Sequence, residues 1–152
     1  MNMILKRMDV RPTDVIETDW MPFVDLGSEL DAAIASDDPG AVLKLIMEGA
    51  DVHDSNLGLT PLMNAALGGR LKVIPVLLDA GAQLEEKDRC FGRTPLLWAA
   101  SAGHWEVVRL LVERGANVNV RSDVMGWTPL MWAAKRGEFE MIYFLTNRGA
   151  NK

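Results

Sequence analysis

Few side chains in this 152-residue chain could carry chemistry, and their spacing gathers none of them into a catalytic set. His53 and His104 are the two histidines, and Cys90 is the lone cysteine. One thiol and two distant imidazoles do not supply the ligand count of a Cys/His metal site. The densest polar run is Glu85-Glu86-Lys87-Asp88-Arg89, where charges of both signs alternate as on a solvated hairpin. Paired acids for hydrolysis need a cleft to hold them, and this run offers none. Gly68-Gly69 stands where a helix is expected to end, and neither GxxxxGK[ST] nor GxGxxG occurs to cradle a phosphate. The residues predict no enzyme, no metal and no cofactor.

The polar and aromatic residues that remain are set by a repeat. TPLMNAA at Thr60, TPLLWAA at Thr94 and TPLMWAA at Thr128 recur thirty-four residues apart. The tails Gly81-Ala82, Gly115-Ala116 and Gly149-Ala150 keep the same offset. A fixed period of this size marks stacked units, each burying its apolar face against the next. Within a unit, Thr94 is an N-cap and Pro95 the first helical residue, where a missing N–H costs nothing. Leu96, Ala99 and Ala100 share one helix face, and Gly103 ends the helix. His104 opens a second helix carrying Val107, Val108, Leu111 and Val112, and Gly115 closes it before a polar hairpin. A degenerate unit precedes these from Ser28, with Ser28-Glu29 as its expected cap and Asp38-Pro39 starting its second helix. Pro75, inside the second helix of unit two, is expected to kink or shift it.

Residues 1–27 lie outside the period. Their cluster Trp20-Met21-Pro22-Phe23-Val24 is expected to cap the exposed side of the first unit. The opening MNMILKRMDVRP has an apolar run only from Met3 to Leu5, so no signal-peptide core and no membrane span are expected. With 49% apolar and 24% charged residues the chain is ordinary for a globular domain, and a net charge of -5 argues against nucleic acid. One cysteine suits a reducing compartment, and the cytoplasm is the expected location.

The Thr-Pro-Leu openings, the hairpin glycines Gly58, Gly92 and Gly126, and the Gly-Ala tails resemble the ankyrin repeat family. The resemblance covers Ser28 to Lys152. It implies an all-α solenoid of helix-turn-helix units joined by β-hairpin loops, with repeats at about 28–56, 57–90, 91–124 and 125–152. It also implies a non-catalytic module that binds a partner protein in its concave groove, as an adaptor or inhibitor. Carried over by position, the hairpin tips offer Leu57 and Leu59, Phe91 and Arg93, and Met125 and Trp127. The first helices add Trp98 with Ser101 and Ala102, and Trp132 with Lys135 and Arg136. An acidic partner residue is expected near Lys135 and Arg136. His104 is expected to bond nearby backbone. The alternative is a structural protein that self-associates weakly through its solenoid ends, otherwise monomeric.

Overall fold

The computed structural model describes residues 25–55 and 58–150. The cluster around Trp20 and the tip residue Leu57 fall outside them. The described residues form eight helices in four pairs: α1 (Leu26–Ala35) with α2 (Pro39–Met47), α3 (Pro61–Gly68) with α4 (Val73–Asp79), α5 (Pro95–Ala102) with α6 (Trp105–Glu113), and α7 (Pro129–Arg136) with α8 (Phe139–Asn147). The first helices stack in the order α1, α3, α5, α7, and each packs on its own second helix. Small residues permit that stacking. Ala65, Ala66, Ala99 and Ala100 are fully buried between neighbouring first helices, and Val73, Ile74, Leu77, Val107, Val108 and Leu111 form the second layer. Apolar area removed from water in this way is the main stabilising term.

Local signals act as the repeat predicts. The hydroxyls of Thr60, Thr94 and Thr128 accept from the N–H three residues on, with proline next in each case. Gly69, Gly103 and Gly137 end the first helices in the left-handed region. The equivalent place in the first pair is held by Asp37, at φ 53 the one non-glycine with positive φ among the described residues. Its carboxylate explains the exception. It accepts from the N–H groups of Lys72 at 3.0 Å and Val73 at 3.2 Å, so it caps α4 from the preceding repeat.

Three expectations need correction. The first cap is Asp25, not Ser28: α1 begins at Leu26, and the Asp25 carboxylate accepts from the N–H of Gly27 and of Ser28 and from the Ser28 hydroxyl. Those Ser28 bonds, side chain first, hold the Asp25 carboxyl below the ordinary aspartate value. Of the kink or shift expected at Pro75, only the kink is corrected: the helix is shifted to a late start. Helix α4 opens at Val73, so Pro75 lies in its first turn, where an N–H has no intrahelical partner in any case. The price is a seven-residue helix where α2, α6 and α8 have nine. His104 makes no capping bond with its side chain and lies against Gly69 instead.

The connecting loops are hairpin-like and closed by isolated backbone bonds, Asp88 N–H to Arg93 O and Ser122 N–H to Trp127 O. Successive loops are tied together. The Asp123 N–H donates to Phe91 O at 3.0 Å, Glu85 accepts from the Asn117 N–H at 2.8 Å, and Lys87 pairs with Asp123 at 2.9 Å.

Candidate functional site

Arg93 stands at the centre of the face where loop tips meet first helices. Its guanidinium lies 4.9 Å from the Phe91 ring centroid, 4.9 Å from that of Trp98 and 5.5 Å from that of Trp132. Phe91 meets Trp98 edge-on at 6.0 Å, and Trp127 lies tilted against Trp132 at 4.7 Å. Lys135 closes the far side, with Nζ 5.3 Å from Trp127 and 5.5 Å from Trp132. Rings and cations therefore alternate across two repeats: Phe91 and Trp98, then Arg93, then Trp132 and Trp127, then Lys135. Each such pairing contributes about 0.5–1 kcal/mol when exposed and more when desolvated.

The sequence-derived residues are mostly brought together here, though not all as freely displayed groups. Phe91 is 43% exposed and Met125 56% exposed, as large apolar residues offered to a partner would be. Arg93, Trp98 and Trp132 are half-buried, because they support one another. Ser101 is partly spent internally: its hydroxyl donates to Trp98 O at 3.0 Å and accepts from Arg93 Nη1 at 3.4 Å. Arg136, beside which an acidic partner residue is expected, is exposed, but its Nη2 donates to Ser101 O at 2.6 Å and its guanidinium lies beside Gly103. Ala102 is half-buried at the end of α5. Leu59 sits apart from this stack, in a cleft of about 320 Å³ that Asp31, Asn64, Gly68 and Arg70 also line.

Asp88 is the member that reading by charge alternation missed. Rather than standing in solvent it is 5% exposed. Its Oδ1 accepts from the N–H groups of Cys90 and Phe91, and its Oδ2 from the Arg93 N–H and the Trp98 indole, the last at 2.9 Å. Burial pushes its carboxyl up, but the donors of Phe91, Arg93, Cys90 and Trp98 outweigh that and hold it below the ordinary aspartate value. A signal was present in the spacing. Asp54 and Asp88 each stand four residues before a hairpin glycine, Gly58 and Gly92. The same place before Gly126 holds Ser122, whose hydroxyl accepts from the Trp127 N–H at 3.2 Å. Trp132, the counterpart of Trp98, is left with an enclosed Nε1 that has no hydrogen-bond partner, and Arg93 Nε shares that condition. An enclosed donor without an acceptor costs about 1–3 kcal/mol.

No group of three or more His, Cys, Asp or Glu able to hold a metal occurs among the described residues. Among those residues no helix is long and apolar enough to cross a membrane. Compared with known families, residues 30–122 and again 80–152 match the family described as ankyrin repeats (3 copies). The chain belongs to the ankyrin repeat family. Ankyrin repeats are in general protein–protein interaction modules, and the family is typically non-catalytic. A search of the curated proteins returned no match. In this ankyrin chain the alternating stack lies wholly in the third and fourth repeats, whereas the same helix position in repeat two is Asn64, which donates to Asp31 at 3.5 Å.

Proposed function

We propose that this chain is a non-catalytic binding module that holds one partner protein against the loop tips and first helices of repeats three and four, as an adaptor or inhibitor. The observation that carries the reading is the cross-repeat stack around Arg93. It presents exposed Phe91 and Met125 beside half-buried Trp98, Trp127 and Trp132, already ordered before any partner arrives. A preorganised surface loses little side-chain entropy on binding, and tryptophan and arginine are the residues most enriched among energetic hot spots. Lys135 and Arg136 favour an acidic partner surface at this end, and Leu59, Ser101 and Ala102 extend the face. Residues 1–27 act in this reading as a cap on repeat one, and the cytoplasm is the proposed compartment, on the strength of the single Cys90.

The test compares capture of partners from source-cell lysate by the wild type with capture by Phe91→Ala, Trp127→Ala and Lys135→Glu. Circular dichroism confirms that each variant is folded. Loss of the same captured protein in all three supports the face, and unchanged capture rejects it.

One observation favours a second reading, association through the last repeat. Met131 is 42% exposed where its counterpart Leu97 is fully buried, and Ala134 is exposed where Ala100 is enclosed. Sedimentation across a range of concentrations distinguishes this reading: a rising mass that Met131→Glu abolishes supports it, and constant monomer mass rejects it.

A further inference from the structure

The stack around Arg93 is short of acceptors. Asp88 is the carboxylate inside it, and both of its oxygens are occupied by four N–H donors. Against it stand Arg93, Lys135 and Arg136, together with the Trp132 indole N–H and Arg93 Nε, neither of which has a partner. Arg136 turns to a backbone carbonyl, and Lys135 has no carboxylate within ion-pair distance among the described residues. The shortage has a definite origin in the repeat. Where the loop leading into α5 places Asp88 against the Trp98 indole, the loop leading into α7 places Ser122, whose hydroxyl accepts from the Trp127 N–H and makes no bond to Trp132.

We infer that the partner's recognition segment carries an aspartate or glutamate whose carboxylate supplies to Trp132 and Arg93 the acceptor that Asp88 supplies to Trp98 within the chain. The inference rests on the protein-binding reading above and assigns the chemistry of one contact in it. Charge complementarity selects the occupant, since a carboxylate there meets the cations Arg93 and Lys135 and two unmet donors, and a charge-assisted bond is roughly twice as strong as a neutral one. Both unmet atoms are enclosed in the unbound chain, so the arms of Lys135 and Arg93 shift to admit the group. Lys135 rests on the rings through a flexible four-carbon stem, which makes it the movable side. Apolar neighbours of the acid then meet Phe91 and Met125, the exposed apolar residues of these loop tips.

The experiment selects binders to the full chain from a phage-displayed random-peptide library and measures the selected peptides beside their Glu→Gln or Asp→Asn counterparts. Binding that Phe91→Ala abolishes places a peptide on this face. The expected result is an acid in the selected peptides, whose amide counterpart binds about tenfold or more weakly, the scale of one charge-assisted hydrogen bond. Trp132→Phe, which keeps a ring and removes only the N–H, is expected to weaken the acidic peptide by a similar factor and to leave its amide counterpart unchanged. Ser122→Asp, which places a carboxylate within the chain, is expected to weaken the acidic peptide as well. Face-binding peptides that show no acid dependence, or an acid dependence that Trp132→Phe leaves intact, overturn the carboxylate inference and leave the binding reading standing. A library that yields no binder to this face overturns both.

Discussion

The Trp98 indole N–H donates to Asp88 at 2.9 Å, while the Trp132 indole, one repeat later, has no acceptor, and the place of that aspartate in the preceding loop is held by Ser122. Two tryptophans at one helix position are thus held differently, and Asp88 in the loop before the first is replaced by Ser122 in the loop before the second. The difference makes Asp88 and Ser122 the most informative positions in the chain.

Asp88→Ala removes the acceptor of four N–H groups at a nearly enclosed site, and the expected loss of stability is about 2–4 kcal/mol by urea unfolding. Because the folded-state pKa of Asp88 is lowered, the stability it contributes is present above the unfolded aspartate value, about 3.9, and is lost as pH falls through the lower folded value. Wild-type stability is therefore expected to fall below about pH 4. Asp88→Asn, which cannot titrate, is expected to lose part of that decline; an unchanged acid limb would exclude Asp88 as its source.

Ser122→Asp is expected to stabilise the free protein by about 1 kcal/mol, since it offers Trp132 the acceptor that Trp98 already has. Thermal unfolding measures the gain, and a fall in Tm would show that the serine place cannot hold a carboxylate as Asp88 does.

Arg93→Ala removes one cation from three rings, and a loss of about 1–2 kcal/mol is expected. Arg93→Lys restores the charge without the planar guanidinium that stacks on aromatic faces, so it should recover less than half of the loss. Near-UV circular dichroism is the companion readout, because Trp98 and Trp132 lose the group between them.

Asp37→Ala removes the cap of α4 from the neighbouring repeat and is expected to cost about 1–2 kcal/mol. Asp37→Gly relieves the positive φ but loses the cap as well, so it should remain destabilised; a Gly variant as stable as wild type would show that the two Asp37 hydrogen bonds contribute nothing.

Much of the fold was legible in the sequence, because its signals are local and repeated. Thr-Pro openings, alanine pairs and glycine ends act within a few residues of themselves, and helix starts at Pro61, Pro95 and Pro129 follow directly. What stayed hidden depends on side-chain partners that the local pattern does not name, some of them a repeat length away. Asp37 reads as a loop acid until α4 is folded beside it. Asp88 reads as one charge among five until the Trp98 indole reaches back over ten residues to its carboxylate. Arg93 reads as a displayed tip residue, yet the ring that makes it central belongs to the next repeat. Position along the repeat brings Phe91, Arg93, Trp98, Trp127, Trp132 and Lys135 into one cluster, while the division between displayed and supporting groups required the packing.

The bond from Asp37 to the start of α4 bears on how far such a protein can be cut and reassembled. Repeat units are often treated as interchangeable blocks, each complete once its own sequence is present. Here the second block borrows its helix start from the first, so excising residues 26–47 takes away more than one pair of helices. A chimera that places repeat two behind a repeat with glycine at the Asp37 place inherits an unfinished helix, whereas one that moves repeats one and two together does not. The transferable unit at this end of the molecule is the pair.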